Sequence, residues 1–140
     1  MTILVLHGPN LNKLGSREPD IYGSQTLEEI NDAIKKKARD LSMQVDIHQD
    51  NDEGALVNYI QNAEGVYAGI ILNAAAYTHT SIAIRDAIAT IHSPVIEVHI
   101  SNIYKREKFR HKSYISDVCV GQISGLGYKG YLLALEYFSS

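Results

Sequence analysis

The sequence predicts a three-layer α/β domain, a doubly wound parallel sheet with helices on both faces. Three observations predict it. Ile3–Leu6 and Gly69–Leu72 are short, continuous apolar runs, as expected of strands covered on both sides. Between such runs stand segments whose apolar residues recur at helical spacing. Strand and helix then alternate through short crossovers, the pattern of parallel βαβ units.

The elements follow in order. Ile3-Leu-Val-Leu6 is the first strand. Residues 7–25 form a polar segment with two Pro and three Gly, longer than ordinary connections and of the kind that serves as a functional loop. Thr26-Leu-Glu-Glu29 has capping-box spacing, and Leu27, Ile30, Ile34, Ala38 and Leu41 predict a helix over 27–41. Gln44–Asp50 alternates as a strand through Val45 and Ile47. Asp50–Glu53 opens a second helix with Leu56, Val57, Ile60 and Ala63 inward. Gly69–Leu72 is the third strand, and a helix near 81–91 carries Ile84, Ile88 and Ile91 in phase. Pro94–His99 is the fourth strand, 104–112 a basic loop, 118–123 a short strand, and Tyr128–Phe138 a closing helix. No internal repeat or linker divides the chain, so residues 1–140 read as one domain.

Four or five strands in a chain of this size predict the flavodoxin-like order 2-1-3-4-5. That order places ligands at the carboxyl ends of the strands, where the first and third diverge. The residues that follow the strands there are polar: His7-Gly-Pro-Asn10 and Arg17–Gly23, Asn73–Ser81, and Glu97–Asn102, with Lys105–Arg110 beyond. Each singly could be a turn or cap residue. Four polar clusters at one rim point to a site.

Composition narrows the classes. A formal net charge of −3 gives no electrostatic reason to bind nucleic acid, and the basic run 105–112 is short and interrupted by Glu107. No apolar run approaches the ~20 residues of a membrane span. The start lacks a basic n-region and meets His7-Gly8-Pro9 too early for a signal peptide. A lone Cys119 fits a reducing cytosol, so the expected location is cytoplasmic. The first loop lacks both the Ser/Thr-rich phosphate cradle of a flavin module and the Gly-x-Gly-x-x-Gly of a dinucleotide enzyme. Gly125-x-Gly127-x-x-Gly130 comes late, before the last helix. The third strand ends in Asn73, where a phosphoacceptor domain needs aspartate.

His-Gly-Pro-Asn-Leu-Asn (7–12), followed by Leu-Gly-Ser-Arg-Glu-Pro-Asp-Ile-Tyr-Gly (14–23), resembles the opening of the type II 3-dehydroquinate dehydratases. Residues 76–86, 95–102, 106–114 and 125–135 continue the resemblance in order across essentially the whole chain. It implies a lyase of the shikimate pathway (chorismate and aromatic amino acid biosynthesis) or of quinate breakdown. Such an enzyme converts 3-dehydroquinate to 3-dehydroshikimate and water without metal, cofactor or Schiff base. It also implies a lid at about 16–25 and a homododecamer, a tetramer of trimers.

The reaction needs a base, an enolate stabiliser and an acid for the leaving hydroxyl. Taken alone, Tyr22 is one tyrosine of nine and Arg17 a solvated charge. The resemblance makes Tyr22 the base, with Arg17 as the cation that favours its phenolate. Glu97 and His99, two apart on a strand, share a face. An isolated Glu-x-His is as readily a satisfied core pair. The resemblance makes His99 the acid and Glu97 its orienter. It also assigns Asn10 to a water at the enolate oxygen, and Asn73 with the N–H groups of Ile100 and Ser101 to the substrate carboxylate. His79 and Arg110 would take ring hydroxyls, Arg106 the lid, and Asp86 a neighbouring subunit's site. Asp86 lies seven residues after His79, expected on the same helical face. His7 and Ala74-Ala75 depart from the Asn and Pro-Gly that many members carry.

Overall fold

A computed structural model describes residues 1–16 and 18–140. Its five-stranded, all-parallel sheet has the order β2-β1-β3-β4-β5. The strands are β1 (Thr2–His7), β2 (Gln44–Gln49), β3 (Gly69–Asn73), β4 (Val95–His99) and β5 (Gly121–Ser124). The helices are α1 (Pro19–Tyr22), α2 (Leu27–Asp40), α3 (Glu53–Asn62), α4 (Ile82–Thr90) and α5 (Lys129–Ser139). The expected class, strand order and long helices are all present.

The alternation of side chains along β1 explains the two layers. Ile3 and Val5 pack with Ile30, Ile34, Tyr131, Ala134 and Leu135 beneath α2 and α5. Leu4 and Leu6 point the other way, onto Leu56, Ile60, Ile84 and Ile88 of α3 and α4. A strand buried on both faces cannot show polar alternation, hence the continuous apolar run.

Side-chain caps set the starts of α2, α3 and α4. Thr26 Oγ1 accepts from Glu29 N–H at 3.1 Å while Glu29 Oε1 accepts from Thr26 N–H at 3.2 Å, the expected capping box. Asp52 caps α3 and Ser81 caps α4 by accepting from the N–H groups of Ala55 and Ile84, without the reciprocal bond.

Three expectations change. The loop 7–25 contains the single helical turn α1, placed by Pro19 at its first position. The basic loop 104–112 carries two 3₁₀ turns, Ile103–Lys105 and Lys108–Arg110. His79 and Asp86 do not share a helix. His79 ends a 3₁₀ segment, Ala75–His79, and Ser81 starts α4 afresh before Asp86.

Candidate active site

The cleft lies over the carboxyl ends of β1, β3 and β4. It encloses about 620 Å³ including its open mouth. Asn10, Tyr22, Asn73, His79, His99, Ile100, Ser101, Arg106 and Arg110 all line it. Of the remaining expected residues, Glu97 lies directly behind His99. Asp86 is exposed on α4 and is not part of this chain's cleft wall. Arg17 lies outside the described residues.

The floor depends on close backbone approach. Gly8 N–H donates to Asn73 O at 2.7 Å. A Cβ on Gly8 would stand 2.6 Å from the Ala74 carbonyl oxygen. Asn10 and Ala75, on either side of the cleft, both hold left-handed backbone, at φ 70° and 52°. Asparagine tolerates that conformation; for Ala75 it stores strain.

Register brings the two chemical halves together from opposite faces of the sheet. His7 pairs with Asn73, and both belong to the face covered by α2 and α5. Leu72 pairs with Glu97, so Glu97 and His99 belong to the α3–α4 face. The cleft straddles the sheet edge and can address two sides of a small ring.

Glu97 is fully buried, and His99 is 4% exposed. His99 Nε2 lies 2.5 Å from Glu97 Oε2, and a donor there leaves Nδ1 as the ring nitrogen available to the cleft. Three more groups donate to the carboxylate: Ser116 Oγ at 2.6 Å, Gln122 Nε2 at 3.0 Å and Ser113 Oγ at 3.1 Å. Burial alone would push the Glu97 carboxyl up. The hydrogen bond and charge of His99, with the Ser116 and Ser113 hydroxyls, outweigh it and hold the group below its ordinary value. An ionised, fully bonded Glu97 can therefore orient the imidazole and stabilise its cation.

His79 stacks near His99, ring centroids 6.3 Å apart. Partial burial lowers its pKa, and electrostatic interactions with His99 and Arg110 add to this against the opposing Lys112 carbonyl and Glu97. Neutral His79 donates from Nδ1 to that carbonyl at 2.8 Å, which leaves Nε2 as an acceptor.

On the opposite wall the Arg106 guanidinium carbon sits 5.0 Å from the Tyr22 ring centroid. Among the described residues, Arg106 Nε has no hydrogen-bond partner although it is buried, with Glu107 at 3.8 Å. Arg110 is held to Glu107 at 2.9 Å. The N–H groups of Ile100 and Ser101 have no backbone acceptor among the described residues. The carbonyls of this stretch are occupied instead: Gly125 and Gly127, both at positive φ, donate to the carbonyl oxygens of His99 and Ile100. That turn is structural, and no dinucleotide loop is needed to explain it.

Several residues escaped the sequence reading. Tyr131, buried, and Asn31, partly buried, form a polar cluster with His7 behind Asn73. Burial pushes the His7 imidazole down to about 4, against a smaller opposing effect of the Asn31 hydrogen bond. Ser113, Ser116 and Gln122 complete the Glu97 cradle. Only Gln122 had a signal, since it stands opposite Glu97 once β5 is aligned.

An open parallel α/β sheet whose carboxyl edge gathers a tyrosine, a carboxylate-bound histidine and two arginines around one cleft has the form of a small-molecule enzyme site. The chain matches the family described as Dehydroquinase class II over residues 1–139. It is 60% identical to 3-dehydroquinate dehydratase of Geotalea daltonii over 136 residues, covering 97% of this chain and 94% of that protein. Identity to 3-dehydroquinate dehydratase of Acaryochloris marina is 57%, covering 96% and 91% of the two chains. The crystal structure of type II dehydroquinase from Butyrivibrio crossotus superposes with TM-score 0.98 at 47% identity, covering 100% of this chain and 98% of that one. That from Propionibacterium acnes superposes with TM-score 0.96 at 43% identity, covering 99% and 95%. The chain belongs to the type II dehydroquinase family.

Proposed function

We propose that this chain dehydrates 3-dehydroquinate to 3-dehydroshikimate and water in the shikimate pathway, by anti elimination through an enolate. The observation that carries the mechanism is one cleft lined by Tyr22 beneath the Arg106 cation and by His99 on the Glu97 carboxylate. Tyr22, as phenolate, takes the proton from the carbon beside the ketone, and the released electron pair forms the enolate. Arg17 favours that phenolate. Asn10 holds a water against the enolate oxygen. Collapse of the enolate restores the ketone and expels the neighbouring hydroxyl, which leaves as water with a proton from His99. Tyr22 ends protonated and His99 neutral, so the next turnover begins with return of a proton from one to the other through solvent.

Asn73 and the N–H groups of Ile100 and Ser101 receive the ring carboxylate. His79 accepts from a ring hydroxyl, Arg110 donates to another, and Arg106 closes over the substrate with the lid at about 16–25. Asp86, exposed on α4, reaches the site of a neighbouring subunit in a dodecamer built from trimers. The enzyme works in the cytoplasm with no cofactor. Among the described residues no helix is long and apolar enough to cross a membrane.

The test is direct: add 3-dehydroquinate and follow the ultraviolet absorbance of the conjugated enone, with and without EDTA and borohydride. Persistent activity in both supports the enolate route, and no enone in their absence refutes the function. Tyr22→Phe is expected to cut kcat by about 10²–10⁴-fold with binding largely kept; near-normal turnover would remove Tyr22 as base. A fully active species eluting near 15.5 kDa would overturn the assembly.

A further inference from the structure

We infer that His7 is a positioning residue for substrate binding, acting through a directed hydrogen-bond chain, Asn73 to Tyr131 to His7 to Asn31, that holds the Asn73 amide at the cleft floor. The identity of the substrate rests on the dehydratase reading above; the chain itself does not.

Its direction follows from one backbone bond. Ala75 N–H donates to Asn73 Oδ1 at 3.1 Å, which turns Asn73 Nδ2 toward Tyr131, 2.9 Å from the phenol oxygen. An amide nitrogen only donates, so the Tyr131 oxygen accepts there and its one proton must go elsewhere. Its other neighbour is His7 Nδ1 at 3.0 Å. Nδ1 therefore carries a lone pair, the imidazole proton sits on Nε2, and Nε2 donates to Asn31 Oδ1 at 2.8 Å.

His7, Tyr131 and Asn73 are at most 3% exposed, so no solvent competes for these bonds. Three elements converge: His7 and Asn73 are register partners on β1 and β3, and Tyr131 reaches them from α5. Asn73 lines the cleft and His7 does not, so His7 acts on substrate only through Asn73. The second Nδ2 proton of Asn73 is the one left for a carboxylate ligand.

Two substitutions separate the two ring nitrogens. His7→Asn places a carbonyl oxygen where Nδ1 stood and keeps an acceptor for Tyr131. His7→Gln places its amide where Nε2 stood and leaves Tyr131 without one. With 3-dehydroquinate, His7→Gln is expected to raise KM about tenfold with kcat changed less than about threefold, and His7→Asn to stay near the parent value. Tyr131→Phe should raise KM similarly, and Tyr131→Phe with His7→Gln should be no worse than either alone. Equal KM values for His7→Asn and His7→Gln, or additive losses in the double variant, would overturn the proposal.

A second measurement needs no variant to fold. Nitrogen-15 histidine NMR of the parent protein, assigned by loss of one signal in His7→Asn or by elimination, should show His7 protonated at Nε2 alone. A proton on Nδ1 would refute the chain. A parent enzyme without dehydratase activity would sink the functional reading, and the tautomer would still decide the relay.

Discussion

Lowering the pH from 7 to 4 should cost this protein stability through one buried imidazole. His7 is fully buried, and burial drives its pKa down from 6.5 to about 4. In the unfolded chain the same group takes a proton at about its ordinary value of 6.5. Between these values the unfolded state binds a proton that the folded state refuses. The contribution of neutral His7 is thus fully present above about pH 6.5 and is lost as pH falls toward about 4. Each tenfold change in proton affinity is worth about 1.4 kcal/mol, so the window carries about 3 kcal/mol. Urea unfolding followed by circular dichroism, at intervals across it, measures the slope. His79, whose pKa is also lowered, and the carboxylates contribute as well, and His7→Asn keeps them all. The parent should therefore lose about 3 kcal/mol more than His7→Asn over this range. Parallel stability curves for the two proteins would refute the assignment of a neutral, desolvated His7.

Three further outcomes follow from the site geometry. Glu97→Gln removes the charge that stabilises the His99 cation and should lower kcat by about 100-fold or more with the circular dichroism spectrum intact; an unimpaired enzyme would exclude Glu97 as the orienter. Gly8→Ala would press a Cβ to 2.6 Å from the Ala74 carbonyl, both atoms held by the sheet, and should cost about 1–3 kcal/mol in chemical denaturation, where an unchanged midpoint would contradict the close approach. Ala75→Gly relieves a left-handed backbone at φ 52°, partly offset by greater freedom of the unfolded glycine, and should stabilise by about 1 kcal/mol or less; a loss of thermal stability would contradict the strain.

The layers of this fold were legible because burial on both faces leaves a signature in each strand. Ile3-Leu-Val-Leu6 and Gly69–Leu72 have no polar alternation, and the structure splits each between two cores. Thr26 announced its helix through a cap that depends on a neighbour three residues away. Boundaries drifted where pairing sets them. The last strand begins at Gly121, later than the expected 118, because residues 116–118 turn as 3₁₀ before joining β4. The 3₁₀ turns of residues 103–110 were not foreseen, since a basic run has no periodicity to read.

The residues of the rim were also legible, because a parallel sheet gathers whatever follows its strands at one edge. Glu97 and His99 could be paired on sequence alone by the two-residue period of a strand. What only the tertiary structure decided is the surroundings of those groups. Arg106 lies over Tyr22 across 84 positions of sequence. Ser113, Ser116 and Gln122 close on Glu97, and Tyr131 joins His7 to Asn73 from the last helix. Local pattern reports which face of an element is buried, whereas a hydrogen bond between distant side chains depends on register and layer packing, which no segment carries by itself. The sequence by itself therefore determined the sheet, its order and the candidate chemistry at its edge. The folded chain decided which cation faces Tyr22, what holds the Glu97 carboxyl below its ordinary range, and how a histidine outside the cleft touches its floor.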